Sequence, residues 1–206
     1  VAKHKKNKGT EEKILEAARK VFIRKGMFGA RMQDIADEAG INKALLHYYF
    51  KNKEKLFEVI FMEAAAKLFS KVNEVFASDE PLFVKIEKFC EEYISIVIEN
   101  PYLPSFVLNE MNHDPVYFMN KLWGKNGNKP DPGKFLQQID EEVKKRNIRD
   151  ISPLQLLMHL ISMTIFPFIG KPVFQMNLGI DEIQFRMAME QRKKEIPRFI
   201  IDAIRK

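Results

Sequence analysis

The run MQDIADEAGINKALLHYYF, Met32 to Phe50, narrows the possible folds of this chain more than any other segment. Its apolar residues recur at helical spacing on either side of Gly40. This pattern predicts two short helices, about Met32–Glu38 and Asn42–Tyr48, joined by a tight turn. Ala36 is small where such helices cross. Gly40 occupies the turn, where a positive φ costs glycine little. Ile35, Ala39, Ile41, Leu46 and Tyr49 form the expected inner set. Asn42, Lys43, Ala44, Leu45, His47 and Tyr48 then face outward on the second helix. Tyr48 is compatible with either core or contact. A helix presented this way can enter the major groove with its N-terminal half on the base edges.

The rest of the chain also reads as helix, with no strand-type alternation. Thr10 is placed to cap a helix that carries Ile14, Leu15, Ala18, Val21 and Phe22 and ends at Gly26. A long helix is expected from Glu54 towards Phe76, and another from Pro81 to Glu99. Further helices are expected over Tyr102–Met111, from Pro115 to Trp123, over Lys134–Arg146, from Pro153 to about Phe168, and from Asp181 to Ile204. Gly124 to Gly133 reads as a loop, and Gly170 with Pro172 should bend or break the apolar helix before it. The expected fold class is all-α. An N-terminal helix-turn-helix domain over 1–53 is followed by a larger helical domain over 54–206.

Charge separates these two parts. Residues 1–55 hold 14 Lys and Arg against 7 Asp and Glu, while the remainder holds 20 against 21. The excess fits a module that faces a polyanion, or a solubilising basic tail, since Lys3, Lys5, Lys6 and Lys8 supply four charges alone. A single cysteine, Cys90, excludes an intrachain disulfide and a cysteine-rich metal site. No membrane span, secretory leader, metal or cofactor is expected, and a cytoplasmic setting fits best. Glu110 and His113 share a helix but lack the spacing of a metalloprotease pair, and no glycine-rich phosphate loop is present. Catalysis is therefore not expected.

The stretch from Thr10 to Phe57, with VFIRKG, DIADEAGINK and LLHYYFKNKEKLF, resembles the N-terminal domain of the TetR family of bacterial regulators. The resemblance implies an all-α homodimer that binds operator DNA and, in most members, represses until a ligand releases it. Gly40 matches the family's turn glycine. Lys43, Tyr48 and Lys53 match positions that often contact phosphates, and Tyr49 matches one that can touch the DNA backbone. The chain departs from the pattern at Ala30, where threonine is usual. Arg31 can replace that residue's phosphate contact but not its side-chain cap. Ala44-Leu45 and His47 also depart, at positions that face DNA. The DNA-binding set is thus Arg31, Asn42, Lys43, Ala44, Leu45, His47, Tyr48, Tyr49 and Lys53.

The larger domain is expected to dimerise and to sense a small molecule. Its last two helices offer Leu154, Leu157, Met158, Ile161, Met163, Ile165 and Phe166, then Phe185, Met189, Ile196, Phe199, Ile200 and Ile204, as a homodimer interface on a palindromic operator. Phe89, Tyr93, Phe106, Met111, Phe118, Trp123 and Phe135 supply apolar walls for an effector. Cys90, Asn109, His113 and His159 supply scattered polar groups. Such walls suit a small lipophilic or aromatic effector, or an ordinary core. The alternative function is a constitutive DNA-binding regulator with no effector.

Overall fold

A computed structural model describes residues 2–123 and 129–206, with side chains from residue 9 onward. The expected Gly124–Gly133 loop lies partly outside the described residues. The described residues form helices, with an isolated antiparallel bridge between Ile148 and Arg205. They divide into two compact units, residues 1–65 and 66–206.

The first unit holds α1 (Ala2–Gly29), α2 (Met32–Ala39), α3 (Lys43–Tyr49) and the first half of α4 (Lys53–Ala77). Helix α1 begins well before Thr10, because alanine and lysine are good helix formers and nothing in that stretch breaks the ladder. Its regular geometry ends at Gly26, with φ 68° and ψ 172°. Ile14, Ala18, Val21 and Phe22 from α1 are buried, as are Ile35 and Ala36 from α2, Leu46 from α3, and Leu56, Phe57 and Ile60 from α4. Phe22 and Phe57 meet edge to face, 5.0 Å between centroids. The buried side chains of α1 and α4 give the short helices α2 and α3 a shared core that they could not build alone.

The second unit contains α5 (Leu82–Glu99), α6 (Leu103–His113), α7 (Pro115–Trp123), α8 (Gly133–Lys144), α9 (Pro153–Ile169), α10 (Lys171–Leu178) and α11 (Glu182–Ile204). Helix α5 lies along α11, and α9 packs on both. Helix α11 starts at a reciprocal cap. Asp181 Oδ1 accepts from Gln184 N (2.8 Å), and Gln184 Oε1 accepts from Asp181 N (2.9 Å). The short α10 was not expected. Pro172 sits in its first turn, where no intrahelical donor is needed, and Gly179 ends it.

A half-buried arginine and a buried lysine hold this unit together at helix carbonyls. Pro167 lies inside α9 and has no N–H for Met163 O, and Arg192 Nη2 of α11 donates to that oxygen instead at 2.8 Å. Lys85 is 1% exposed and donates to Phe76 O at 3.2 Å, near the end of α4. Among the described residues no single helix is long and apolar enough to cross a membrane. The α9–α10 pair reaches that composition only jointly, across a 64° bend.

Candidate nucleic-acid interface

The chemistry of the turn sets the geometry of α3. Gly40 adopts φ 64°, and the backbone N–H of Ile41 donates to Ala36 O at 3.0 Å, closing the turn over the buried Ala36. Asn42 caps α3, its Oδ1 accepting from Leu45 N at 2.7 Å. That bond consumes the amide oxygen and leaves the Nδ2 donors for another partner. Lys43, Ala44, Leu45, His47 and Tyr48 are all exposed, with Tyr48 at 78%, and Leu46 alone turns inward. Tyr49 is half-buried and meets Tyr48 edge to face, 5.5 Å between centroids.

The flanks of α3 are fixed by side chains too. His47 Nδ1 lies 3.1 Å from Lys51 O. A carbonyl only accepts, so that nitrogen carries the proton and Nε2 is left to face outward chemistry. Asn52 Oδ1 accepts from Lys55 N at 2.9 Å, capping α4. The sequence reading did not single out Asn52, although an Asx residue just before a helix is the mark of such a cap. Lys53 is half-buried at the start of α4.

Ala30, in place of the expected threonine, is buried and offers no cap to α2. Helix α2 is secured from the other side. Asp34 accepts from the Arg31 backbone N–H (3.0 Å) and pairs with Lys25 Nζ (2.8 Å). The hydrogen bond from Lys25, with that from Arg31, holds the Asp34 carboxyl below its usual 3.8. The Arg31 side chain remains exposed.

The effector residues separate into distinct places. Phe89 stacks on Phe76 (5.4 Å, 5°) and on Tyr93 (5.6 Å, 28°), and Phe135 also stacks on Phe76 (4.7 Å, 14°). Burial pushes the Tyr93 phenol up. Phe106 meets Phe118 at 6.3 Å. Trp123 is half-buried, and its Nε1 is buried with no hydrogen-bond partner among the described residues. Asn109, Met111 and His113 are exposed on α6. His159 lines a separate hollow between α9 and α11, of about 260 Å³, with Leu156, Met163 and Phe199. Among the described residues no three His, Cys, Asp or Glu side chains gather as a metal site.

Cys90 is fully buried, with Sγ 4.0 Å from Thr164 Oγ1, and desolvation pushes its thiol up to about 12. A thiol that resists ionisation is a poor nucleophile. It should stay unreactive towards Ellman's reagent at pH 8 in the folded chain and react fully in denaturant. Above pH 9.0, its ordinary value, the unfolded state ionises first, so stability should decline from there towards pH 12. Rapid labelling of the native protein would contradict this burial.

A family model described as "Bacterial regulatory proteins, tetR family" matches residues 14–60, which span the helix-turn-helix and its packing helices. Residues 14–60 thus carry the DNA-binding domain of the TetR family. Along most of its length the chain is similar to the transcriptional regulator RutR of Escherichia coli K12. The two are 25% identical over 195 residues, covering 93% of this chain and 89% of that protein. It is 41% identical to the repressor NicS of Pseudomonas putida over 66 residues, a match that spans only 31% of NicS. Among solved structures, the ketosteroid regulator KstR2 of Mycobacterium tuberculosis has a TM-score of 0.66 at 13% identity, covering 95% of each chain. A TetR/AcrR regulator of Thermobifida fusca has a TM-score of 0.60 at 18% identity, covering 91% of this chain and 96% of that one. These structures establish a shared all-α fold.

Proposed function

We propose that this regulator is a homodimeric, ligand-responsive repressor that binds a palindromic operator through α3 and releases it when a small lipophilic or aromatic effector binds. The observation that carries the DNA reading is the outer face of α3. There Lys43, Ala44, Leu45, His47 and Tyr48 are exposed together while Asn42 and Leu46 anchor the helix. Lys43 and Lys53 supply phosphate contacts, with Arg31, His47, Tyr48 and Tyr49 along the backbone. Ala44 and Leu45 suit thymine methyls, and the free Nδ2 of Asn42 suits a base-edge or phosphate acceptor.

The dimer reading rests on exposed apolar side chains. Leu154, Met158, Ile161 and Phe166 on α9, with Ile183, Met187 and Phe199 on α11, are exposed large apolar side chains, the kind that an interface covers. Repression is favoured by NicS and by KstR2 of Rhodococcus jostii, both named as repressors. FasR of Mycolicibacterium smegmatis, 30% identical over 46% of its length, is named an activator. The effector set is centred on Phe89, Cys90, Tyr93 and Phe135, with Phe106, Asn109, His113, Trp123 and His159 around it. Helix α4 runs unbroken from Lys53 to Ala77 and provides a covalent route for coupling. The stacked Phe76, Phe89 and Phe135 also fit the second reading, a constitutive regulator with a closed core. The setting is cytoplasmic, on the nucleoid when DNA is bound.

Selection of genomic DNA fragments by the purified protein tests this directly. Recovery of one or a few palindromic sites is expected, and recovery of nothing above background from folded dimer would remove the reading. On a recovered site, Lys43→Ala should weaken binding equally across operator variants and lower the salt slope by about 1, as a phosphate contact does. Loss of discrimination at one base pair would instead make Lys43 a base contact.

A further inference from the structure

A cleft of about 250 Å³ opens at the C-terminal end of α4, lined by Ser78, Asp79, Lys85, Lys134, Gln138 and Glu141. It lies outside the residues assigned to the operator and the effector. Most of its polar atoms are already matched. Lys134 Nζ donates to Ala77 O (2.7 Å) and to Asp79 Oδ1 (2.6 Å). Ser78 Oγ donates to Val75 O (2.9 Å), and Glu141 accepts from Gln137 Nε2 (3.0 Å) and pairs with Lys145 (3.6 Å).

Two groups are left over. Lys85 is 1% exposed and gives a single hydrogen bond, to Phe76 O, while no carboxylate lies within ion-pair distance among the described residues. An ammonium has three donors and a charge, so most of its capacity is unspent. Desolvation, and after it the charge of Lys134, push its pKa down and outweigh the upward pull of the nearby Asp79 and Glu80 carboxylates. The second group is Gln138, whose Oε1 is buried with no donor, while its Nε2 donates to Glu80 O at 3.0 Å. Exchanging the amide oxygen and nitrogen does not cure this, because it would set Oε1 against the Glu80 carbonyl.

The complement of this pair is a group with one negative charge to accept from Lys85 and an adjacent donor for Gln138. A carboxylate beside a hydroxyl has both. A plain carboxylate lacks the donor, a diol lacks the charge, and a water molecule leaves the cation uncompensated. We propose that this cleft binds a small 2-hydroxycarboxylate, its carboxylate on Lys85 Nζ and its hydroxyl donating to Gln138 Oε1. Because Lys85 also holds the last turn of α4, occupancy bears on the end of the helix whose other end begins beside α3.

Calorimetric titration of the full chain with lactate, propionate and 1,2-propanediol tests the proposal. Lactate should bind about tenfold more tightly than propionate, the worth of one buried hydrogen bond, and the diol should not bind. Gln138→Leu should bring the lactate-to-propionate ratio to about 1, and Lys85→Met should weaken both acids. If Lys85→Met fails to fold for want of its bond to Phe76 O, the Gln138→Leu ratio still decides. The proposal is overturned if propionate matches lactate in the unmodified chain, if Gln138→Leu keeps the preference, or if the diol binds as well as the acid. It is equally overturned if no acid binds up to about 50 mM, which would leave the cleft to water.

Discussion

Phe22→Ala is expected to unfold residues 1–65 while residues 66–206 keep their structure. Phe22 is 1% exposed and meets Phe57 edge to face. Removing a buried phenylalanine costs about 3–5 kcal/mol through lost transfer energy and the cavity left behind. A unit this small has little reserve, since domains of this size are only marginally stable. The chain has one tryptophan, Trp123, and it belongs to the second unit. Thermal unfolding followed by far-ultraviolet dichroism should therefore show an early loss of helix, with Trp123 fluorescence moving only in a later transition. DNA binding should disappear with the first. A single transition in which both signals move together would show that the units fold as one.

The second large effect is expected from Ile161→Glu. Ile161 is 37% exposed on α9, one turn from Met158 and among the apolar side chains assigned to the dimer face. A carboxylate buried there without a partner would cost several kcal/mol in each protomer, twice over in a symmetric interface. Sedimentation should report a monomer in place of a dimer. Affinity for a palindrome should then fall by about 10²–10⁴, because two linked heads gain that much from effective concentration. The isolated chain should keep its helical content, since the side chain is partly in water already. A variant that remains dimeric would move the interface away from α9.

The helix-turn-helix was legible because three independent constraints coincide there: helical spacing, a small residue at the crossing, and a glycine that the structure places at φ 64°. The interface was only partly legible. Leu157, Phe185, Met189, Ile196, Ile200 and Ile204 were expected at the dimer face but are buried within the chain's own core. Ile183, Met187, Val173 and Met176, which were not expected, are exposed. Helices this apolar carry two hydrophobic faces, and periodicity does not say which belongs to which partner. Likewise, Asn109 and His113 share the composition of a pocket wall, yet α6 turns both outward, which only packing decides. Lys85 was invisible in the sequence, because a lysine reads as surface unless a free helix carbonyl waits for it.

Pro167 and Arg192 carry a consequence for how this sequence can change over time. Each compensates for the other: the proline frees a carbonyl, and the arginine occupies it. Losing Arg192 alone strands the Met163 oxygen, whereas losing Pro167 alone restores a helical donor that makes the arginine redundant. The order of substitution is therefore constrained. A lineage can relinquish the proline first and the arginine afterwards, but the opposite order passes through a weakened intermediate. Position 192 should accordingly be free to drift only in descendants that have already replaced Pro167.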